Sequence, residues 1–93
     1  MGLGHLYFRL NRLNKAYTLF QMALESYKLS NNIACQGDAL HDLGRVQMAR
    51  SQLQDAKTLF ENALAIHRQA EDITEQEQDQ HSLNEVLMKM KQS

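Results

Sequence analysis

The side chains best suited to chemistry are four histidines and one cysteine. His5, His41 and His81 fall on helices that we expect to lie side by side, and three imidazoles are a sufficient ligand set for zinc. Equivalent residues on neighbouring helices are, however, about 10 Å apart, whereas Zn–N bonds are about 2.0–2.1 Å long. The spacing therefore predicts no metal and no cofactor. His67 falls on a helix of the other layer of the predicted fold. We expect its side chain to point outward, and we assign it no role.

The sequence also lacks the short motifs of known catalytic centres. It contains no His-Glu-x-x-His, nucleophile elbow, phosphate-binding loop or Cys-x-x-Cys, so we expect no enzymatic activity. The single cysteine, Cys35, has no partner for an intramolecular disulfide. We interpret it as a buried structural thiol.

Charge and composition point to a helical protein of a reducing compartment. The net charge of -1 gives no electrostatic case for binding nucleic acid or an anionic membrane. No signal peptide and no apolar run of about 20 residues is visible, so we expect a cytoplasmic protein without a membrane partner. Proline is absent, and residues that lose little freedom in a helix dominate. This composition predicts an all-α fold.

The sequence contains an internal repeat. A shift that places Leu3 on Leu43 aligns the rest of the sequence with itself without a gap. The most specific match places Thr18-Leu19-Phe20 on Thr58-Leu59-Phe60, with Ala-Leu three positions further on in both copies. A repeat of this length predicts a stack of similar units that share one continuous core. The residues that we expect to pack the units together are Leu3, Gly4, Tyr7, Ala16, Phe20, Ala23, Leu43, Gly44, Ala56, Phe60, Ala63 and Leu83.

Each unit has the pattern of two amphipathic helices joined by a short turn. Asn31 and Asn32 offer N-capping side chains before the helix at 33–50, and the apolar pattern breaks near Ser51. Gly44 lies inside a helix, where glycine costs about 1 kcal/mol relative to alanine, so we expect another helix to approach closely there. The predicted helices are 2–11, 14–30, 33–50, 54–71 and 74–91, and short connections make neighbours antiparallel.

The Leu-Gly…Ala…Phe…Ala pattern, present twice in frame, resembles the tetratricopeptide repeat. The period of 40 and the missing proline depart from its commonest 34-residue form and are similar to the Leu-Gly-Asn subclass. The resemblance implies a right-handed α-solenoid of antiparallel hairpins. It also implies that the first helix of each hairpin lines a concave groove, which holds peptides or helices of partner proteins.

One face of the helix at 33–50 is the candidate wall of such a groove. Asp38, His41, Arg45 and Met48 recur at spacings of three and four residues, which places them on one side of the helix. The equivalent positions of the repeat extend this face, mixed apolar and polar, onto the first and last helices. The predicted groove residues are His5, Phe8, Arg9, Asp38, His41, Arg45, Met48, Gln78, His81, Glu85, Met88 and Lys89.

The ends of the stack differ from its middle. We interpret 1–93 as one domain with units at 1–32 and 33–72 and a capping helix at 73–93. Asp79 and Gln80 replace the Ala39 and Leu40 of the second unit, which predicts that the last helix turns this side to water. The first unit looks clipped, so we expect the chain to be the C-terminal part of a longer array whose apolar N-terminal end self-associates.

Two hypotheses about function remain open from the sequence. The first is an interaction module that binds a protein or peptide partner in the groove. The alternative is an architectural segment that only stacks or self-associates within a larger scaffold. Changing Arg45 and Phe8 distinguishes the two, because only the first hypothesis requires these side chains for binding.

Overall fold

The described part of the chain folds into five α-helices joined by short turns. In this computed structural model, which describes residues 2–92, the helices are α1 (Gly2–Arg9), α2 (Leu13–Leu29), α3 (Ile33–Ala49), α4 (Leu53–Gln69) and α5 (Ile73–Gln92). All five predicted helices are confirmed, with ends within two residues of their predicted positions. The all-α solenoid of helix hairpins is therefore confirmed as well.

The four turns share one geometry, which recurs at equivalent places along the chain. The middle residue of each turn is in the left-handed region, with φ between 56° and 63°. The backbone N–H of the next residue then reaches back five positions, as from Gln52 to the carbonyl of Gln47 at 2.8 Å. This is the Schellman arrangement, which satisfies carbonyls that the helix end would leave free. The left-handed residues are Asn11, Asn31, Ser51 and Glu71.

Only one of the two predicted capping asparagines caps a helix. The side chain of Asn32 accepts a hydrogen bond from the backbone N–H of Cys35 at 3.2 Å, as expected of an N-cap. Asn31 is instead the left-handed residue of the turn, so the prediction of a cap there is wrong. Asp72 repeats the cap at α5, where it accepts from the N–H of Glu75 at 3.2 Å.

Consecutive helices pack against each other and form two layers. The molecule measures 39 × 28 × 18 Å, and 18 Å is close to two helices of about 10 Å diameter. Because every turn reverses the chain, α1, α3 and α5 run in one direction and α2 and α4 in the other. Within the layer that α1, α3 and α5 form, α3 contacts α5 and also contacts α1 through His5 and Asp42. This layer therefore presents one continuous face built from three helices.

In each hairpin, a phenylalanine ring of the second helix packs against a glycine of the first helix. A Cβ added to Gly4 would stand 2.6 Å from the ring of Phe20, and one added to Gly44 would stand 2.7 Å from the ring of Phe60. Both rings are almost fully buried, at 1% and 0% exposure. The predicted reason for glycine inside a helix, the close approach of a neighbouring helix, is confirmed.

The other packing positions follow the repeat except at the N-terminal end. Tyr7 and Ala23 are half-buried and the rest are buried, but Leu3 is 63% exposed whereas its equivalents Leu43 and Leu83 are 2% and 9% exposed. Leu43 packs in a core that α2 helps to build. No helix occupies the corresponding side of α1 among residues 2–92, so the expectation that Leu3 packs in the core is wrong here.

Replacing Gly44 with alanine should lower the free energy of unfolding by about 1–3 kcal/mol, because the added methyl overpacks the rigid ring of Phe60. Gly2→Ala is the matched control, since nothing lies within 4 Å of a Cβ at that position. Urea unfolding followed by circular dichroism measures both. Equal effects of the two substitutions would show that Gly44 is not at a close contact.

Candidate functional site

Three adjoining concavities cover the face of α1, α3 and α5. The central one has a volume of about 410 Å³, and the two beside it have volumes of about 440 and 390 Å³. His41 and Gln78 line both the first and the second, and Arg45 lines both the first and the third. The three therefore join into one groove surface.

Ten of the twelve predicted groove residues line this surface, and Arg9 and Met88 do not line these three concavities. Met88 is nevertheless 63% exposed, so it is open to solvent beside the surface. The lining residues from the predicted set are His5, Phe8, Asp38, His41, Arg45, Met48, Gln78, His81, Glu85 and Lys89. Whether they bind a partner remains a prediction.

Contacts between α1 and α3 arrange the middle of the groove. The guanidinium of Arg45 lies over the ring of Phe8, 4.7 Å from its centroid, as in a cation–π pair. Arg45 also reaches a carboxylate oxygen of Asp42 at 3.5 Å, and His5 bonds the other oxygen at 3.0 Å. These contacts place a charged and an aromatic side chain in defined positions on the surface.

Burial of the Asp42 carboxylate costs free energy. Its side chain is only 10% exposed, and burial raises its pKa above the ordinary value, although the charges of His5 and Arg45 act in the opposite direction. A carboxyl group whose ionised form is disfavoured by burial and which lines a concavity is a typical feature of functional sites.

A second cluster of polar residues lies beneath the groove, and His67 is at its centre. His67 is 0% exposed, so the prediction that it points outward without a role is wrong. Its Nδ1 bonds a carboxylate oxygen of Asp79, and its Nε2 bonds Asp38 at 3.0 Å. Burial lowers the pKa of His67, but the hydrogen bonds and charges of Asp79 and Asp38 together outweigh it and raise the pKa.

Asp79 joins this cluster to the groove. It is 0% exposed, and its second oxygen accepts a hydrogen bond from Nδ1 of His41 at 2.7 Å. The expectation that Asp79 turns to water is therefore wrong, whereas Gln80 is exposed as expected. The His41 ring also lies against Phe60, with centroids 5.2 Å apart. One carboxylate thus connects α3, α4 and α5.

Gly37 makes room for the imidazole of His67. A Cβ at this position would stand 2.5 Å from Nε2 and 2.8 and 2.9 Å from the two neighbouring ring carbons. The ring consequently lies against the backbone of α3. This is the same arrangement as glycine and phenylalanine within the hairpins, used here for a polar ring.

Three groups of this cluster could hold a cation. One ligand atom from each of Asp38, His67 and Glu75 lies within 4.8 Å of the others. Burial raises the pKa of Glu75, and the negative charge of Asp38 raises it further against the opposing effect of His67. His5, His41 and His81, for which the sequence predicts no metal, are not members of this group.

The repeat contained a signal for the residues that sequence reasoning missed. His67 occupies the repeat position of Tyr27, which packs against the core, and Asp79 occupies that of Ala39, which is 0% exposed. The register therefore indicated burial at both positions, and only the polarity of the residues argued against it. Cys35, expected to be buried, is a half-buried free thiol.

The fold and the groove define a class of protein, the α-solenoids built from helix hairpins. A family model described as tetratricopeptide repeat matches residues 1–69, and the chain belongs to this family. Searches of curated proteins and of solved structures gave no significant match. Tetratricopeptide repeats are in general protein–protein interaction modules and not catalytic domains. In residues 2–92, no helix has the length and apolar character needed to cross a membrane.

Proposed function

We propose that the chain is a protein-interaction module that binds a peptide or helix of a cytoplasmic partner protein along the face of α1, α3 and α5. The observation that carries this proposal is the continuous groove surface, which contains a partly exposed Arg45 and the buried carboxylate of Asp42. Asp42 and Phe8 hold the guanidinium of Arg45 in a defined position while it stays partly exposed, so a partner can reach a charged group that is already oriented.

The chemistry of the groove favours a particular kind of partner segment. In the concavity that Phe8 and Met48 line, Arg45 and Lys89 outnumber the one carboxylate, Glu85, which favours an aspartate or glutamate of the partner. The same concavity offers the apolar surface of Phe8 and Met48. An acidic side chain next to an apolar one, as on one face of an amphipathic helix, satisfies both.

A pull-down with a matched control tests this function. The immobilised chain is compared with the variant Phe8→Ala/Arg45→Glu in lysate of the source organism. The control is Glu61→Lys/Asn62→Ala, which changes two exposed residues of α4. We expect the groove variant to lose about 90% or more of the specifically retained protein, because hot-spot truncations cost about 2 kcal/mol or more, and the control to lose none.

The result is informative only if both variants remain folded, which circular dichroism shows. A groove variant with native helicity that retains the same proteins as the unchanged chain would contradict groove binding. An equal loss of retained protein in both double variants would also contradict groove binding, since the α4 residues are outside the groove.

The alternative, an architectural segment that self-associates, is favoured by the N-terminal end of the stack. Leu3 and Met22 are 63% and 62% exposed, and two apolar concavities of about 510 and 290 Å³ lie between α1 and α2. Self-association through this end predicts a concentration-dependent dimer in sedimentation experiments, which Leu3→Gln would abolish. A monomer at all concentrations would contradict self-association through this end.

A further inference from the structure

Asp38, His67 and Glu75 come from three different helices, α3, α4 and α5, and meet beneath the groove. Their ligand atoms lie within 4.8 Å of one another. The side chain of His67 is 0% exposed and that of Asp38 is 42% exposed, so the cluster extends from the core to the surface. A ligand that entered it would reach a buried imidazole nitrogen.

On its buried side, His67 has the kind of hydrogen-bond partner that metal-binding histidines usually have. Histidine ligands in proteins generally donate their second ring N–H to a carboxylate or carbonyl, which fixes the tautomer and the direction of the ligating nitrogen. In this chain Nδ1 of His67 bonds the fully buried Asp79. With one proton held on Nδ1, Nε2 faces Asp38 at 3.0 Å, and this contact requires either a second proton or a metal ion between the two atoms.

The charges of the cluster also call for a cation. The carboxylates of Asp38 and Asp79 pair with the imidazoles of His41 and His67. A third carboxylate, that of Glu75, has an oxygen within 4.8 Å of the ligand atoms of Asp38 and His67. Among the ion pairs of residues 2–92, none joins a lysine or arginine to these carboxylates. Even two protonated imidazoles would leave one negative charge, which a divalent ion would offset.

The dimensions are compatible with a transition metal. In a tetrahedral site, bonds of about 2.0–2.2 Å from zinc to nitrogen or oxygen place neighbouring ligand atoms roughly 3.3–3.6 Å apart. The contact of His67 with Asp38 is 3.0 Å, so the two groups need to separate by only a few tenths of an ångström. An oxygen of Glu75 lies within 4.8 Å of the other two ligand atoms, so a displacement of roughly 1–2 Å brings it to the ligand spacing of a metal site. Asp38 and Glu75 also line the central concavity, through which an ion and a fourth ligand can enter.

We propose that Asp38, His67 and Glu75 bind one divalent transition-metal ion, such as zinc, which accepts both imidazole nitrogen and carboxylate oxygen as ligands. Asp79 positions His67 for this role and does not touch the ion. The ion would join three helices at the floor of the groove, with its open coordination position directed into the central concavity. Nothing in the tetratricopeptide repeat pattern itself requires such a site.

The experiment uses the full chain with Cys35→Ser, which removes the free thiol as a competing ligand. Cobalt(II) is added to the metal-free protein and its visible absorption is recorded, and zinc is then titrated in by calorimetry. We expect one ion per chain, a cobalt spectrum typical of four or five ligands, and a rise in the thermal midpoint when zinc is bound.

Two variants and one control decide whether the ion occupies this site. Asp38→Asn and Glu75→Gln should each weaken binding about 10-fold or more and abolish the thermal shift. Glu77→Gln, an exposed carboxylate two residues from Glu75 on the same helix, should change neither. Absence of stoichiometric binding at 100-fold excess of zinc, or binding of equal strength in all three variants, would overturn the proposal.

Discussion

Replacing Phe60 with alanine is expected to lower the free energy of unfolding by about 3–5 kcal/mol. The ring is 0% exposed, lies on the backbone of Gly44, and packs in the core with Leu83 and Val86 of α5. Its loss would therefore loosen both the hairpin of α3 and α4 and the docking of α5. A domain of 93 residues has a total stability of roughly 5–14 kcal/mol, so urea unfolding should show a large decrease in midpoint.

Two comparisons make this prediction specific. Phe20→Ala should have a smaller effect, because a cavity of about 290 Å³ already adjoins Phe20 at the open end of the stack. Leu29→Ala, at a position that is 87% exposed, should change stability by less than about 0.5 kcal/mol. If Phe60→Ala and Leu29→Ala had equal effects, the central core described above would be wrong.

Asp79→Ala should lower the free energy of unfolding by about 3–5 kcal/mol, measured in the presence of a chelator, because removing one member of a buried ion pair leaves its partner without compensation. Here two partners, His41 and His67, lose the same carboxylate. Because this carboxylate connects α5 to both α3 and α4, we expect α5 to detach first. Hydrogen exchange should therefore show lost protection in α5 before the other helices.

The control for Asp79 is Glu77→Ala, a change of an exposed acidic residue on the same helix. It should change stability by no more than about 0.5 kcal/mol. An Asp79→Ala protein as stable as this control, with α5 fully protected, would show that the buried cluster does not hold the helix in place.

The helices and their interlocking were predictable because they depend on local and repeated signals. Apolar spacing indicated the helices, and the break near Ser51 indicated a turn of the kind found at all four connections. The glycine inside the helix was informative for the opposite reason. Gly44 opposes helix formation, so only a tertiary contact explains it, and the contact is the ring of Phe60.

The buried polar cluster was not predictable from periodicity, since it depends on which residues meet between helices. His67 and Asp38 are 29 positions apart, and His41 and Asp79 are 38 positions apart. Each polar residue taken singly favours an exposed position. Only the pairing of a histidine with a carboxylate makes burial favourable, and such a pairing is visible only when the helices have been placed.

The groove was predictable from the sequence only in part. The repeat indicated correctly which helices share a face, because α1, α3 and α5 carry equivalent positions. It did not indicate that Asp42 would be buried beside His5 of another helix, 37 residues away. The distribution of charge in the groove therefore emerges from the three-dimensional arrangement.

Site-specific photo-crosslinking measures the role of the groove most directly. A photoreactive phenylalanine derivative replaces Gln78, an exposed groove residue, or Glu61, an exposed residue of α4, and each protein is irradiated in lysate of the source organism. Binding along α1, α3 and α5 predicts discrete crosslinked products from position 78 that Phe8→Ala/Arg45→Glu abolishes, and none from position 61. Products from position 61 alone, or none from position 78, would contradict a partner-binding groove.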